Sequence, residues 1–182
     1  MRFLSHRRLP FASIALACLA LLGYGYYLQF HDGLEPCPLC VFQRVCFMAV
    51  GAIALIAAAH GGRFRPAAAY CGLVFLGAST GAGIAGRQVW LQHLPADRVP
   101  ECGPGLDFLL EMYPLTETIR TVLRGSGDCA KVDWTFLGLS IAEWSLLCFL
   151  GLAILSCAIL YARFAQRTHR HRGGRRRRGD GE

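Results

Sequence analysis

The sequence predicts an all-α membrane protein, a four-transmembrane-helix bundle with a short amphipathic helix in its second outer loop. Three observations lead there. The chain has 182 residues, 54% of them hydrophobic, which allows one domain and favours a bilayer over water. Four apolar stretches are long enough to cross about 30 Å of hydrocarbon, a distance that takes roughly 20 helical residues. The charges are unevenly spread, with most basic residues at the termini and in one short loop and nearly all acids on the other two connections. A net charge of +7 could suit a nucleic-acid binder, but such a protein needs a basic patch on a folded face. Here the basic residues gather at the termini and in one short loop, so no nucleic-acid partner is expected.

The first span runs from about Phe11 to Phe30 and is uncharged. Arg2, Arg7 and Arg8 before it resemble the start of a signal peptide. No small-x-small cleavage site precedes the aromatic run Tyr24, Tyr26, Tyr27, so the segment reads as a retained span with an interfacial belt. The second span runs from about Val41 to His60, with Arg44 one turn from its start. The third runs from near Ala67 to about Trp90, with Arg87 near its end. The fourth runs from about Trp144 to Phe164 and is again uncharged.

Orientation follows from the Lys and Arg residues. Arg2, Arg7 and Arg8 precede span one, Arg63 and Arg65 lie on the connection between spans two and three, and Arg163 through Arg178 follow span four. The other two, about 31–40 and 91–143, hold the acids Asp32, Glu35, Asp97, Glu101, Asp107, Glu111, Glu117, Asp128, Asp133 and Glu143. The positive-inside rule puts both termini in the cytoplasm and these two loops outside, in an oxidising compartment. The tail from Arg167 to Glu182, with Arg175 to Arg178 in a row, reads as a disordered basic segment that touches anionic lipid.

The nine cysteines divide on this topology. Cys18, Cys46, Cys71, Cys148 and Cys157 lie inside spans, where cysteine behaves as a small hydrophobe. Cys37, Cys40, Cys102 and Cys129 lie in the outer loops. Structural disulfides are the default there, and four thiolates also match the ligand count of a zinc site. Zinc is disfavoured, and no metal is expected, because Cys102 and Cys129 are far apart in a Gly- and Pro-punctuated loop. A Cys-x-x-Cys disulfide closes so small a ring that it constrains the unfolded chain little. Redox chemistry is therefore the better reading, and Arg44 decides for it. Cys40 sits near the N-terminus of span two, where the helix dipole favours an anion, and Arg44 shares its face. A helix N-terminus and a cation together lower a thiol's pKa and make it reactive. Arg87, near a helix end, has a weaker claim and suits a snorkelling anchor.

Cys37-Pro38-Leu39-Cys40-Val41-Phe42-Gln43-Arg44, Ser126-Gly127-Asp128-Cys129-Ala130 and Trp134-Thr135-Phe136-Leu137-Gly138-Leu139, on four spans with cysteine pairs in both outer loops, resemble the bacterial disulfide-bond formation protein B (DsbB) family over nearly the whole chain. The resemblance implies an inner-membrane thiol:quinone oxidoreductase that reoxidises a periplasmic DsbA-like thioredoxin-fold oxidase. Its cofactor would be a membrane quinone, ubiquinone or menaquinone. Cys102 and Cys129 match the pair that exchanges with the partner, Cys102 being the one attacked. Cys37 and Cys40 match the pair beside the quinone, with Cys40 meeting the ring. Arg44 matches the quinone-site arginine, and His93 and Trp134 fall near the expected ring position, although loop His and interfacial Trp residues are often only anchors. Gln43 stands where the best-known members carry an acid, and the Arg-rich tail is no family feature. On this reading residues 1–166 form the oxidoreductase domain and 167–182 a basic cytoplasmic tail.

Between Cys102 and Cys129, Leu115, Ile119, Val122 and Leu123 recur at helical spacing with Glu117, Arg120 and Arg124 between them. This suits an amphipathic helix on the outer leaflet and equally a loop helix packed on the bundle. Two other functions remain open. A vitamin K epoxide reductase-like enzyme would carry its quinone-side Cys-x-x-Cys late in the chain, and a non-catalytic scaffold would keep its disulfides permanently.

Overall fold

The computed structural model describes residues 8–60, 64–100 and 106–179. Helix α1 spans Leu9–His31, α2 Pro38–Ala59, α3 Phe64–Gln92 and α7 Ile141–Gly179. Between α3 and α7 lie a 3₁₀ turn, Ala96–Arg98, the short helices α4 (Leu106–Met112), α5 (Leu115–Arg124) and α6 (Gly127–Ala130), and strands β1 (Thr135–Phe136) and β2 (Leu139–Ser140). Four helices contain segments long and apolar enough to cross a membrane: Leu9–His31, Pro38–Ala59, Ala67–Gln92 and Ile141–Ala165. At 1.5 Å per residue the shortest is about 33 Å long, enough for the hydrocarbon layer. The protein is therefore a multi-pass, four-helix membrane protein.

Helix α3 is the centre of the bundle, packing against α2 and α7, while α1 packs on α2. In lipid, hydrophobicity alone does not drive helices together, and close packing of small residues does much of it. Ala54, Ala57, Ala78 and Ala85 are buried at these seams. Gly81 admits the Phe149 ring so closely that an added Cβ would lie 2.4 Å from its carbons. Phe149 in turn stacks on Phe47, with centroids 3.9 Å apart. Leu16, Leu76 and Ile154 face outward and exposed, as lipid-facing positions do.

Helix starts follow local chemistry. Cys37 caps α2, its sulfur accepting from the Cys40 N–H at 3.4 Å, with Pro38 at the first helical position, where no N–H is needed. Ser140 and Glu143 form a reciprocal capping box on α7: the Ser140 N–H donates to Glu143 Oε2 at 2.7 Å, and the Glu143 N–H to Ser140 Oγ at 3.3 Å. Past the span, α7 continues as helix to Gly179, where the sequence led us to expect disorder. Arginine is a good helix former, and extending an existing helix avoids the nucleation cost.

The segment between α3 and α7 is held on one end of the bundle, termed the site end below, by a second apolar cluster. It contains Leu39, Ile84, Leu91, Leu109, Val122 and Cys129, and each fully buried aliphatic side chain there contributes roughly 1.5–3 kcal/mol. Helix α5 covers the residues with amphipathic spacing, but its buried side chains are Thr118 and Val122, while Leu115 and Leu123 are exposed. The Thr118 hydroxyl donates to the Leu109 carbonyl at 2.9 Å and ties α5 to α4. Strands β1 and β2 pair Thr135 with Ser140 and Phe136 with Leu139. Their two-residue turn, Leu137-Gly138, has φ of 52° and 80°, the positive values that primed hairpin turns require.

Candidate active site

Cys37 and Cys40 occupy the first turn of α2 with their sulfurs 3.0 Å apart, the Cys37 thiol donating. This is a contact between thiols, since a disulfide bond is about 2.05 Å. Gln88 of α3 faces them. Its amide Nε2 lies 3.4 Å from Cys37 Sγ and 3.2 Å from Cys40 Sγ. Gln43, one turn after Cys40, donates from Nε2 to Gln88 Oε1 at 2.7 Å. Both glutamines are buried, and a buried amide left unpaired costs about 1–3 kcal/mol. Their mutual bond therefore fixes which end of Gln88 points at the sulfurs.

The loop brings a third sulfur to this point. Cys129, buried on α6, accepts hydrogen bonds from the Cys37 thiol and from the Leu39 backbone N–H. The Cys37 bond is the main cause that holds the Cys129 thiol down, at about 6 against an ordinary 9.0; burial opposes it, and Leu39 and Ser126 assist. As the donor to Cys129 and then to Cys40, and being buried, Cys37 is pushed up. The unpaired N–H groups and positive dipole end of α2 thus serve two sulfurs that can carry charge. Cys102 lies outside the described residues.

Beside these sulfurs is a cavity of about 490 Å³ lined by residues of α1, α2, α3 and α7 and by the loops around Glu35 and Asp133. Cys37, Cys40, Arg44 and Trp134 all line it, together with Gln43 and Gln88. Arg44 bonds Gln29 Oε1 and donates from Nη2 to the Gly25 carbonyl at 3.1 Å, with its guanidinium 4.9 Å from the Tyr26 ring centroid. It is anchored across to α1 and set in the cavity wall. Trp134 packs edge-on to Tyr24 and stacks on Phe136. The Trp144 indole N–H donates to the Phe136 carbonyl at 3.1 Å. Apolar and aromatic walls with a few placed polar groups are what a flat, ring-sized ligand needs, and the volume is in the usual range of about 300–1,000 Å³. A quinone fits this donor set, with Arg44 and the Cys40 thiol as the polar groups that would hold it.

Among the described site residues picked out from the sequence, His93 stands apart. Its ring is exposed, its Nδ1 is 2.9 Å from the Val89 carbonyl, and its Nε2 is 3.9 Å from Glu143 Oε1. It is not among the residues lining the cavity. Gln88 is the site residue that sequence reasoning missed. The available signal was a polar side chain deep in an apolar span, the same signal that drew attention to Arg44.

Of the other cysteines, Cys18 and Cys71 are buried in the apolar core, and Cys46 and Cys148 are packed against it.

Residues 7–159 match the family model described as disulfide bond formation protein DsbB. The disulfide bond formation protein B of Azoarcus sp. is 48% identical over 158 residues, 87% of this chain and 95% of that protein. That of Methylococcus capsulatus is 52% identical over 141 residues, 78% of this chain and 86% of that protein. That of Xanthomonas campestris pv. campestris is 48% identical over 162 residues, 88% and 90% of the two chains. With a Cys-x-x-Cys pair and a third cysteine gathered at one helix end, the chain belongs to the disulfide bond formation protein B family of membrane disulfide oxidoreductases.

Proposed function

We propose that the protein is an inner-membrane thiol:quinone oxidoreductase, with both termini cytoplasmic, that reoxidises a periplasmic DsbA-like thioredoxin-fold oxidase. The observation that carries this is the meeting of Cys129 with a Cys37–Cys40 pair that itself lines a cavity holding Arg44 and Trp134. A membrane lipid environment supplies the acceptor pool and the surface on which α5 lies. A partner more oxidising than glutathione needs an acceptor stronger still, and a lipid-soluble quinone meets that need.

The relay starts with both cysteine pairs oxidised. A partner thiolate attacks Cys102 Sγ; a mixed disulfide forms, the Cys102–Cys129 bond breaks, and Cys129 leaves as the thiolate. A second partner thiol then attacks the mixed disulfide and frees Cys102, so the partner leaves with its own disulfide and two electrons have entered this chain. The Cys129 thiolate attacks Cys37 Sγ, the Cys37–Cys40 bond breaks, and Cys40 is released as a thiolate at the head of α2. Attack of the Cys102 thiol on the Cys37–Cys129 link restores the loop pair and leaves Cys37 and Cys40 carrying the electrons. A quinone bound in the cavity supplies an acceptor for two electrons and two protons. Cys40 would be the sulfur facing it, Arg44 would stabilise negative charge developing on it, Trp134 and Trp144 would line its site and exclude water, and Gln88 keeps both sulfurs aligned.

The test is quinone reduction by the purified protein given a reduced thioredoxin-fold partner, followed by quinone absorbance and partner thiol count. One quinone reduced per partner disulfide formed is expected. Partner oxidation with the quinone left untouched sinks the quinone reading.

A further inference from the structure

We propose that Arg87 is a positioning residue, a latch that fastens the C-terminus of α5 to α3 and thereby holds Cys129 against Cys37. Its importance for turnover rests on the relay reading above; the latch itself rests on contacts.

Arg87 Nε donates to the Leu123 carbonyl at 3.3 Å and Nη2 to the Arg124 carbonyl at 2.8 Å. These are carbonyls of the last turn of α5, which have no partner within their own helix. They form the negative end of the helix dipole, where a cation is favoured. The planar guanidinium offers two N–H groups at once, a geometry that an ammonium lacks. Its carbon lies 4.2 Å from the Trp90 ring centroid, so the side chain is held from below as well. A snorkelling anchor needs water or headgroups and would gain nothing from these two carbonyls.

The chain has little slack between the latch and the sulfur. Gly125 follows at φ +82°, and a Cβ there would lie 2.3 Å from Leu91 Cδ1, so the backbone is pressed onto α3. The Gly125 N–H closes on the Val122 carbonyl at 3.0 Å, and the Cys129 N–H on the Ser126 carbonyl at 3.0 Å. One turn of α3 therefore sets both sides of the sulfur contact. Gln88 aligns Cys37 and Cys40, while Arg87 and Leu91 fix the backbone that carries Cys129. Disulfide exchange needs the attacking sulfur held close to its target, and such positioning raises effective concentration.

The test uses the full-length chain in lipid with Cys40→Ser and Cys102→Ser, leaving Cys37 and Cys129 as the site thiols. In a glutathione buffer these two thiols give two electrons and two protons to one oxidised glutathione, yielding the Cys37–Cys129 disulfide and two reduced glutathiones. The equilibrium ratio reads the effective concentration of one sulfur at the other. Arg87→Met keeps the stem over Trp90 but removes the donors. It should lower that concentration about tenfold, the low end for a charge-assisted bond because the group is only half-buried. Arg87→Lys should recover part of the loss. Gly125→Ala strikes the same seat from the loop side and should also lower the value, which covers the case of a poorly folding Arg87 variant. An unchanged ratio in Arg87→Met, or in Gly125→Ala should Arg87→Met fail to fold, overturns the latch. Neither quinone nor partner enters this measurement. Failure of the protein with all its cysteines to reduce quinone, with the latch result as expected, sinks only the relay.

Discussion

The middle of the bundle and its site end both contain buried cysteines, and the two regions treat them differently. Cys18 sits among α1 and α2 side chains, with Gly51 so near that an added Cβ would lie 3.1 Å from Cys18 Cβ. Around it and Cys71 are apolar residues such as Ile14, Val50 and Val74. At the site end, Cys37, Cys40 and Cys129 are also largely withdrawn from water, yet each sulfur has a donor aimed at it: a helix-head N–H, the Gln88 amide, or another thiol. Burial alone makes a thiol inert, whereas burial with donors makes it a place for charge. Donors, more than depth, separate packing cysteines from redox ones.

The largest effect that tests this contrast comes from removing one sulfur in each region. Cys40→Ser should abolish quinone reduction, because the relay has no other exit, while Cys18→Ala should leave the rate within about twofold, a cost confined to packing. Equal losses in the two variants, measured per folded molecule, would break the distinction.

Arg44→Ala comes next. Losing a charge-assisted contact costs about 1.5–3 kcal/mol, or roughly ten- to a hundredfold in quinone reduction. Arg44→Lys should regain part of it, since the charge remains without the fork. A rate equal to the unaltered protein would reduce Arg44 to a brace between α2 and α1.

The Cys129 thiol sharpens the comparison by pH. Held down to about 6 by the Cys37 donor, it is a thiolate above that pH and is protonated as the pH falls through it. Its alkylation, read by peptide mass in the reduced protein, should rise with a midpoint near 6. Cys37, Cys40, Ser126 and the Leu39 N–H act on it, and an ordinary carboxylate, titrating at about 4, would not mask the curve. In Cys37→Ala the midpoint should move up toward 9.0. At pH 7 the thiolate fraction should then fall at least tenfold. A midpoint unmoved in that variant removes the thiol–thiolate bond from the account.

The smallest effect is expected at Gln88. Gln88→Leu removes one neutral donor from the sulfurs and leaves the buried Gln43 amide without its acceptor. It should cost about 1–3 kcal/mol of stability and slow turnover by roughly tenfold or less. Adding Gln43→Leu should recover stability but not rate; recovery of both would make the pair structural only.

The four spans were legible because crossing a bilayer depends on length and apolarity, which any sufficiently long window displays. Their ends differ from the expected ones by a few residues, since Pro38 and the Ser140–Glu143 box set the starts locally. The helix over Leu115–Arg124 was readable from its spacing, but its buried face was not, because Thr118 is turned inward by a bond to Leu109. The short α4 and α6 and the hairpin have too few residues to show a period, and tertiary contacts hold them. In the site, the Cys-x-x-Cys and Arg44 were visible as local pattern. The approach of Cys129 to Cys37 and the Gln43–Gln88 bond join residues far apart in sequence, and no local pattern encodes such a meeting.

The first turn of α2 has a consequence for timing. Its N–H groups and the single Cys37 proton are shared between Cys129 on one side and Cys40 on the other. Two anions crowded there would repel each other, so the seat suits one negative charge at a time. In the proposed relay, bond formation between Cys129 and Cys37 uses up the incoming charge as Cys40 takes it over. The helix head then works as a turnstile: a second thiolate is poorly held until the first has handed its electrons on, and the loop cannot load faster than the membrane side unloads.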